Sequence, residues 1–149
     1  MRHQVYLGLG SNLGDRALLL EQAILLIDRR IGEVVCQSSF VETEPWGFES
    51  VNRFLNGVIL CETLLTPREV LEATQQIERE LGKRQEHATR RSQVTTYQDR
   101  PIDIDILLYD DLRVDEPDLK IPHPLMNERD FVMNPLREIE AKLNNKLKC

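Results

Sequence analysis

An α+β layer, with helices packed on one mainly antiparallel sheet, is the fold class this sequence predicts. Three observations carry it. Helical periodicity is strongest in two long segments, each lying between strand-like runs; a strand–turn–strand meander occupies the middle; and a further strand follows the second helix. The order is strand, helix, strand, strand, helix, long loop, strand, tail. A chain of 149 residues builds one full core, so a single domain over 1–149 is expected.

Residues 5–9 form a short apolar run ending in the turn chemistry of Gly10-Ser11-Asn12-Leu13-Gly14-Asp15, where Asn12 or Asp15 can cap the next segment. From 16 to about 30, Leu20, Ala23, Ile24 and Ile27 recur at helical spacing, and Gly32 stops the run. Residues 34–42 and 54–62 read as strands around a Pro45-Trp46-Gly47 turn. The second helix has a sharp start: Thr66 caps, Pro67 takes the first helical position and Glu69 completes a capping box. Its apolar stripe is Val70, Thr74, Ile77 and Leu81, with Gly82 as the expected end. A polar stretch, 83–100, precedes a last strong strand over 102–109. The tail holds Pro122-His123-Pro124 and a weakly amphipathic end over 135–147.

Composition excludes several classes. Nineteen basic against twenty-five acidic side chains leave −6, which speaks against a generally basic nucleic-acid surface. The longest purely apolar run, 23–27, falls far short of the roughly 20 residues of a membrane span. The first residues lack a signal-peptide pattern. Cys36, Cys61 and Cys149 are odd in number and lack metal-ligand spacing, so reduced thiols are expected. These readings point to a cytoplasmic protein with no nucleic-acid or membrane partner.

The chemistry concentrates in Arg100-Pro101-Ile102-Asp103-Ile104-Asp105-Ile106. Strand alternation puts the isoleucines on one face and Asp103 with Asp105 on the other, their Cα atoms about 6.5–7 Å apart. Such carboxylates can converge on hard cations, Mg²⁺ above all; a solvated face of an edge strand would show the same letters. Leu107 and Leu108 favour an interior strand, where paired carboxylates need a cation or a partner. The 83–100 stretch carries five basic residues (Lys83, Arg84, Arg90, Arg91 and Arg100) against Glu86 and Asp99. That is +3 in a chain that is otherwise −9. A cationic loop of this length reads as a mobile lid over bound polyphosphate or as a solvated basic loop. No P-loop motif is present, so any phosphate would be held by side chains and metal. His123, fixed between prolines, is a phosphate ligand or a turn residue. Phe54 and Asn56 share a strand face, and Arg129 and Phe131 follow at alternate positions. A flat heterocycle would use such rings and amides, and so would ordinary core packing.

Six motifs taken in order resemble the 6-hydroxymethyl-7,8-dihydropterin pyrophosphokinase family. They are the 10–15 turn, Glu42-Thr43-Glu44-Pro45-Trp46-Gly47, Phe54-Leu55-Asn56, Ile77-Glu78-Arg79-Glu80-Leu81-Gly82, the 100–106 segment and Ile121-Pro122-His123-Pro124. The resemblance covers nearly the whole chain. It implies a ferredoxin-like layered fold and an ATP- and Mg²⁺-dependent transferase of folate biosynthesis. That enzyme moves pyrophosphate from ATP to the pterin hydroxymethyl group and releases AMP.

The family resemblance also implies residue roles. Asp103 and Asp105 would hold two Mg²⁺ ions, with Arg100 stabilising the transferring group. Gln75, Glu78, Lys83, Arg84, Tyr97, Arg100, Ile106 and His123 would serve ATP. Thr43, Trp46 and Asn56 would read the pterin edge, Phe54 and Phe131 would sandwich its ring, and Arg129 would lie near the reacting end. A monomer is expected. Two departures stand out: Lys83 replaces the family's usual Arg and cannot fork bidentately, and Tyr97-Gln98-Asp99-Arg100 stands where a Trp-Gly-Pro-Arg segment is common. A metal-dependent phosphohydrolase and a non-catalytic binding module are the rival classes.

Overall fold

The computed structural model describes residues 2–44, 53–89, 101–145 and 149, with the side chains of 83–89 left aside. The chain order is β1 (His3–Ser11), α1 (Arg16–Arg30), β2 (Gly32–Gln37), β3 (Val41–Thr43), β4 (Phe54–Thr63), α2 (Pro67–Thr89) and β5 (Asp103–Tyr109). A small hairpin, β6 (Val114–Glu116) and β7 (Leu119–Ile121), follows, then a 3₁₀ turn (Met126–Glu128) and α3 (Asp130–Asn144). The main sheet runs β2-β4-β1-β5, with β3 also on β4, and its pairings are antiparallel. It is the α+β layer expected. Two interleaved crossovers, β1-α1-β2 and β4-α2-β5, each skip one strand. Right-handed connections put both helices on the same side.

Two apolar layers sandwich the sheet. Leu7, Leu20, Ile27, Ile59, Ile77, Leu81, Ile104 and Ile106 pack between it and α1/α2. Val58, Leu60, Leu107, Val132, Leu136 and Ile139 pack beneath α3. Each fully buried Leu or Ile contributes about 1.5–3 kcal/mol, so the faces of β1, β4 and β5 are fixed and register slips are disfavoured.

The helix starts obey local chemistry. Asp15 caps α1 by accepting from the Leu18 N–H at 3.2 Å. In α2 the capping box closes, Thr66 N–H to Glu69 Oε1 at 2.9 Å and Glu69 N–H to Thr66 Oγ1 at 3.2 Å. The expected stripe of Val70, Thr74, Ile77 and Leu81 is buried. Helix α1 ends at Arg30, just before Gly32 as expected, and that glycine also permits the close approach of β2 to β4, since a Cβ there would lie 2.0 Å from the Glu62 carbonyl oxygen.

Several expectations need correction. Residues 34–42 are two strands, because the Ser38 side chain takes the place of a main-chain acceptor and the Ser39 N–H turns to a side-chain carboxylate. Ser38 N–H donates to the Val58 carbonyl while its Oγ accepts from the Val58 N–H at 2.9 Å, and Ser39 gives N–H and Oγ to Glu138 of α3. Helix α2 does not end at Gly82 but continues to Thr89. One glycine costs about 1 kcal/mol, and the residues after it are mostly good helix formers, so positions 83–89 belong to α2 rather than to a loop. Helix α3 begins at Asp130, with Pro135 inside it. Strand β5 is an outer strand, pairing with β1 alone among the described residues. Finally, Cys36 and Cys149 are joined as a disulfide, and Cys61 is the buried free thiol. Local cysteine spacing does not reveal this pair, because 113 residues separate its members in sequence.

Candidate active site

Strand β1 organises the site. Its Gly10 is paired with Asn56 of β4 on one side and with Asp103 of β5 on the other. Paired residues in adjacent strands project from the same face, so Asn56 and Asp103 stand in one row with a glycine between them. Neighbouring strands are about 4.8 Å apart, which separates the two Cα atoms by roughly 10 Å. A Cβ at Gly10 would lie 2.8 Å from Asn56 Oδ1 and 3.5 Å from the Phe54 ring. Gly10 is therefore the floor between the amide and the carboxylate, a role the sequence reading assigned to turn chemistry. The signal was glycine at alternate positions 8 and 10 of a strand.

On the β5 side, Asp103 and Asp105 are half-buried and share the face opposite Ile104 and Ile106, as the alternation predicted. Among the described residues no group of three or more His, Cys, Asp or Glu side chains converges as a metal cage. A pair of carboxylates is nonetheless a fitting donor set for Mg²⁺, a hard ion that keeps several waters and takes further oxygens from phosphates. Glu78 is half-buried on α2, and its Oε2 accepts the Ile104 N–H at 2.7 Å, between the two aspartates. Gln75, one turn earlier, is exposed. Ile106 is buried in the layer under α1 and α2, so its side chain lies away from the aspartates' face.

His123 reaches the same region from the segment after β7. Its N–H donates to the Leu107 carbonyl at 3.0 Å, covering part of the outer side of β5. The Leu125 N–H donates to His123 Nδ1 at 3.2 Å, which leaves the proton on Nε2 of the neutral ring. Burial lowers the His123 pKa, the nearby Arg129 charge lowers it further, and Asp103 opposes both. His123, Arg129 and Asp103 thus share one electrostatic neighbourhood.

On the β4 side, Asn56 is buried and donates from Nδ2 to Thr43 Oγ1 of β3 at 2.7 Å. Phe54, opposite Thr43 in the ladder, is half-buried on the same face. The Arg129 guanidinium lies 5.7 Å from the centre of the Phe131 ring, at the start of α3. The structure therefore gathers Thr43, Phe54 and Asn56 as one wall, Asp103 and Asp105 as another, with His123 and Arg129 beside the second. Lys83 and Arg84 fall in the last turns of α2, and their side chains lie outside the described residues, as do Trp46, Arg90, Arg91, Tyr97 and Arg100.

Fold and site together define a layered α+β protein that presents paired carboxylates and an aromatic–amide wall on one sheet face. Comparison with known proteins narrows the class. A family model described as 7,8-dihydro-6-hydroxymethylpterin-pyrophosphokinase matches residues 6–141. The chain is 50% identical over 141 residues to a 2-amino-4-hydroxy-6-hydroxymethyldihydropteridine pyrophosphokinase of Porphyromonas gingivalis, covering 94% of this chain and 92% of the relative. A protein of the same description from Bacillus subtilis is 41% identical, covering 93% and 79%. Among solved structures, wild-type HPPK-DHPS of Plasmodium falciparum matches with a TM-score of 0.70 at 15% identity, covering 93% of this chain and 41% of that one. The chain thus spans about two fifths of that structure, which it resembles in fold. It belongs to the 7,8-dihydro-6-hydroxymethylpterin-pyrophosphokinase family.

Proposed function

We propose that this chain transfers the pyrophosphoryl group of ATP to the hydroxymethyl oxygen of 6-hydroxymethyl-7,8-dihydropterin, releasing AMP, as a step of folate biosynthesis. The observation that carries this reading is the single row Asn56–Gly10–Asp103, which sets an amide for a heterocycle edge beside a carboxylate for a cation. Asn56 and Thr43 would take the polar edge of the pterin while Phe54 and Phe131 cover its ring, with Trp46 and Arg129 completing that side. Asp103 and Asp105 would hold two Mg²⁺ ions, which when bound neutralise phosphate charge and polarise the phosphorus under attack.

The hydroxymethyl oxygen forms a bond to the β-phosphorus, and the bond from that phosphorus to the oxygen retained by AMP breaks. Asp105 would be placed to take the hydroxyl proton, and Mg²⁺ held by the two aspartates would supply an acidified water as the alternative acceptor. Positioning supplies much of the acceleration. His123, with its proton on Nε2, is poised to donate to a phosphate oxygen. Gln75, Lys83, Arg84, Tyr97, Arg100 and the main chain at Ile106 complete the nucleotide side in this reading. A cytoplasmic monomer is the state it expects.

The test is to combine protein, Mg²⁺, ATP and the pterin alcohol and follow AMP. AMP should appear only when all four are present and should vanish with a chelator. Release of phosphate or pyrophosphate from ATP without pterin would instead make the protein a metal-dependent phosphohydrolase.

A further inference from the structure

We propose that Glu78 is a positioning residue for the Asp103–Asp105 pair, acting through the main chain of β5. An outer strand has one side without ladder partners, and there main-chain N–H groups need another acceptor. Ile104, between the two aspartates, meets that need at Glu78 Oε2, 2.7 Å away. The Ile104 N–H and the Asp103 carbonyl belong to one rigid peptide plane. Fixing that plane fixes the torsions on either side, and hence the directions in which both carboxylates leave the strand.

Glu78 is itself well anchored. Its neighbours on α2, Ile77 and Leu81, are fully buried, and the helix start is locked by the capping box. The opposite end of β5 is tied to the segment before α2, where Tyr109 Oη donates to the Leu65 carbonyl at 2.6 Å. The strand is thus held at both ends from the α2 side, and the hold at the site end is a carboxylate accepting a main-chain N–H, a charge-assisted bond.

This role rests on the Mg²⁺ reading above, and it differs from a direct contact between Glu78 and nucleotide. Three variants separate them. Glu78→Gln keeps an acceptor oxygen at the same reach without the charge; Glu78→Asp keeps the charge but falls one methylene short; Glu78→Ala removes both. Amide hydrogen exchange at Ile104 is read by NMR on the full chain without ligands. Mg²⁺ dependence and kcat are then measured with ATP and the pterin. Loss of the bond in the Asp and Ala variants should speed Ile104 exchange, raise the Mg²⁺ concentration for half-maximal rate and lower kcat, each by about 10- to 100-fold. KM for the pterin should stay within about twofold, since the β4 wall is untouched. The Gln variant, whose neutral acceptor makes a bond roughly half as strong, should fall between wild type and Ala, within about tenfold of wild type in each readout.

If Gln loses as much rate as Ala while Ile104 stays protected, Glu78 acts by its charge and the proposal fails. It fails too if Asp, or a folded Ala variant, exchanges at Ile104 as wild type does. A wild-type protein that ignores Mg²⁺ and ATP would overturn the functional reading, whereas the exchange data would still decide the tether.

Discussion

The two flanks of β1 are built on different principles. On one side β4 is an interior strand, laddered to β1 and to β2 and β3, and its Asn56 is steadied by Thr43. On the other side β5 has a ladder only to β1 among the described residues, and its remaining support comes from Glu78, from the His123 main chain and from Tyr109. The Thr43–Phe54–Asn56 wall is therefore set by secondary structure, whereas the aspartate wall depends on tertiary contacts. A rigid ring needs a surface formed in advance, and Mg²⁺, which demands near-ideal octahedral geometry, would need its carboxylates held just as firmly by those tertiary contacts.

Substitutions on the aspartate side should produce the largest effect. Asp103→Ala and Asp105→Ala should each lower kcat on the order of 10³-fold while the pterin still binds; rates near wild type at saturating Mg²⁺ would remove the carboxylates from the mechanism. On the ring side, Asn56→Ala should weaken pterin binding by about 10- to 100-fold. Gly10→Ala should act in the same direction, since its methyl group would push on Asn56 Oδ1. Fluorescence titration of the pterin, beside an ATP titration that stays unchanged, checks both. Gly8→Ala offers a contrast, because a Cβ there meets Leu107 at an ordinary 3.5 Å.

Smaller effects fall on stability. Thr66→Ala should cost about 1 kcal/mol in denaturant midpoint experiments with kcat unchanged. His123 has a lowered pKa in the folded chain, so the unfolded chain binds the proton more readily. Its contribution is complete above the ordinary value of 6.5 and is lost as pH falls below it. Thermal unfolding of His123→Asn should therefore show a flatter acid limb than wild type. The least costly test concerns the cysteines. Burial pushes the Cys61 thiol up to about 12, and Cys36 is bonded to Cys149. A thiol reagent at neutral pH should find none in the native chain, one after unfolding and three after reduction.

What could be read from the letters depended on how local the cause was. The caps at Asp15 and Thr66, the α2 stripe and the alternation around Asp103 and Asp105 are set within a few residues, and all are where the sequence puts them. The break at Ser38 and Ser39 depends on Glu138, which accepts from Ser39 across 99 residues of chain, and on the pairing of Ser38 with Val58. The outer position of β5 and the row through Gly10 are properties of strand order, which no short window contains. Leu107 and Leu108 suggested an interior strand because α3 covers that face as thoroughly as another strand would cover an edge. The Ile106 side chain, by contrast, turns into the core on the face opposite the aspartates, as the alternation predicts.

The finish on the outer rim of β5 has a consequence for how molecules of this protein meet. Open rims recruit foreign segments and seed fibrils by donating and accepting along their length. Here the amide of Ile104 and the carbonyl of Leu107 are already engaged from within the same chain, so that margin makes a poor template for strand-to-strand growth even when the solution is concentrated.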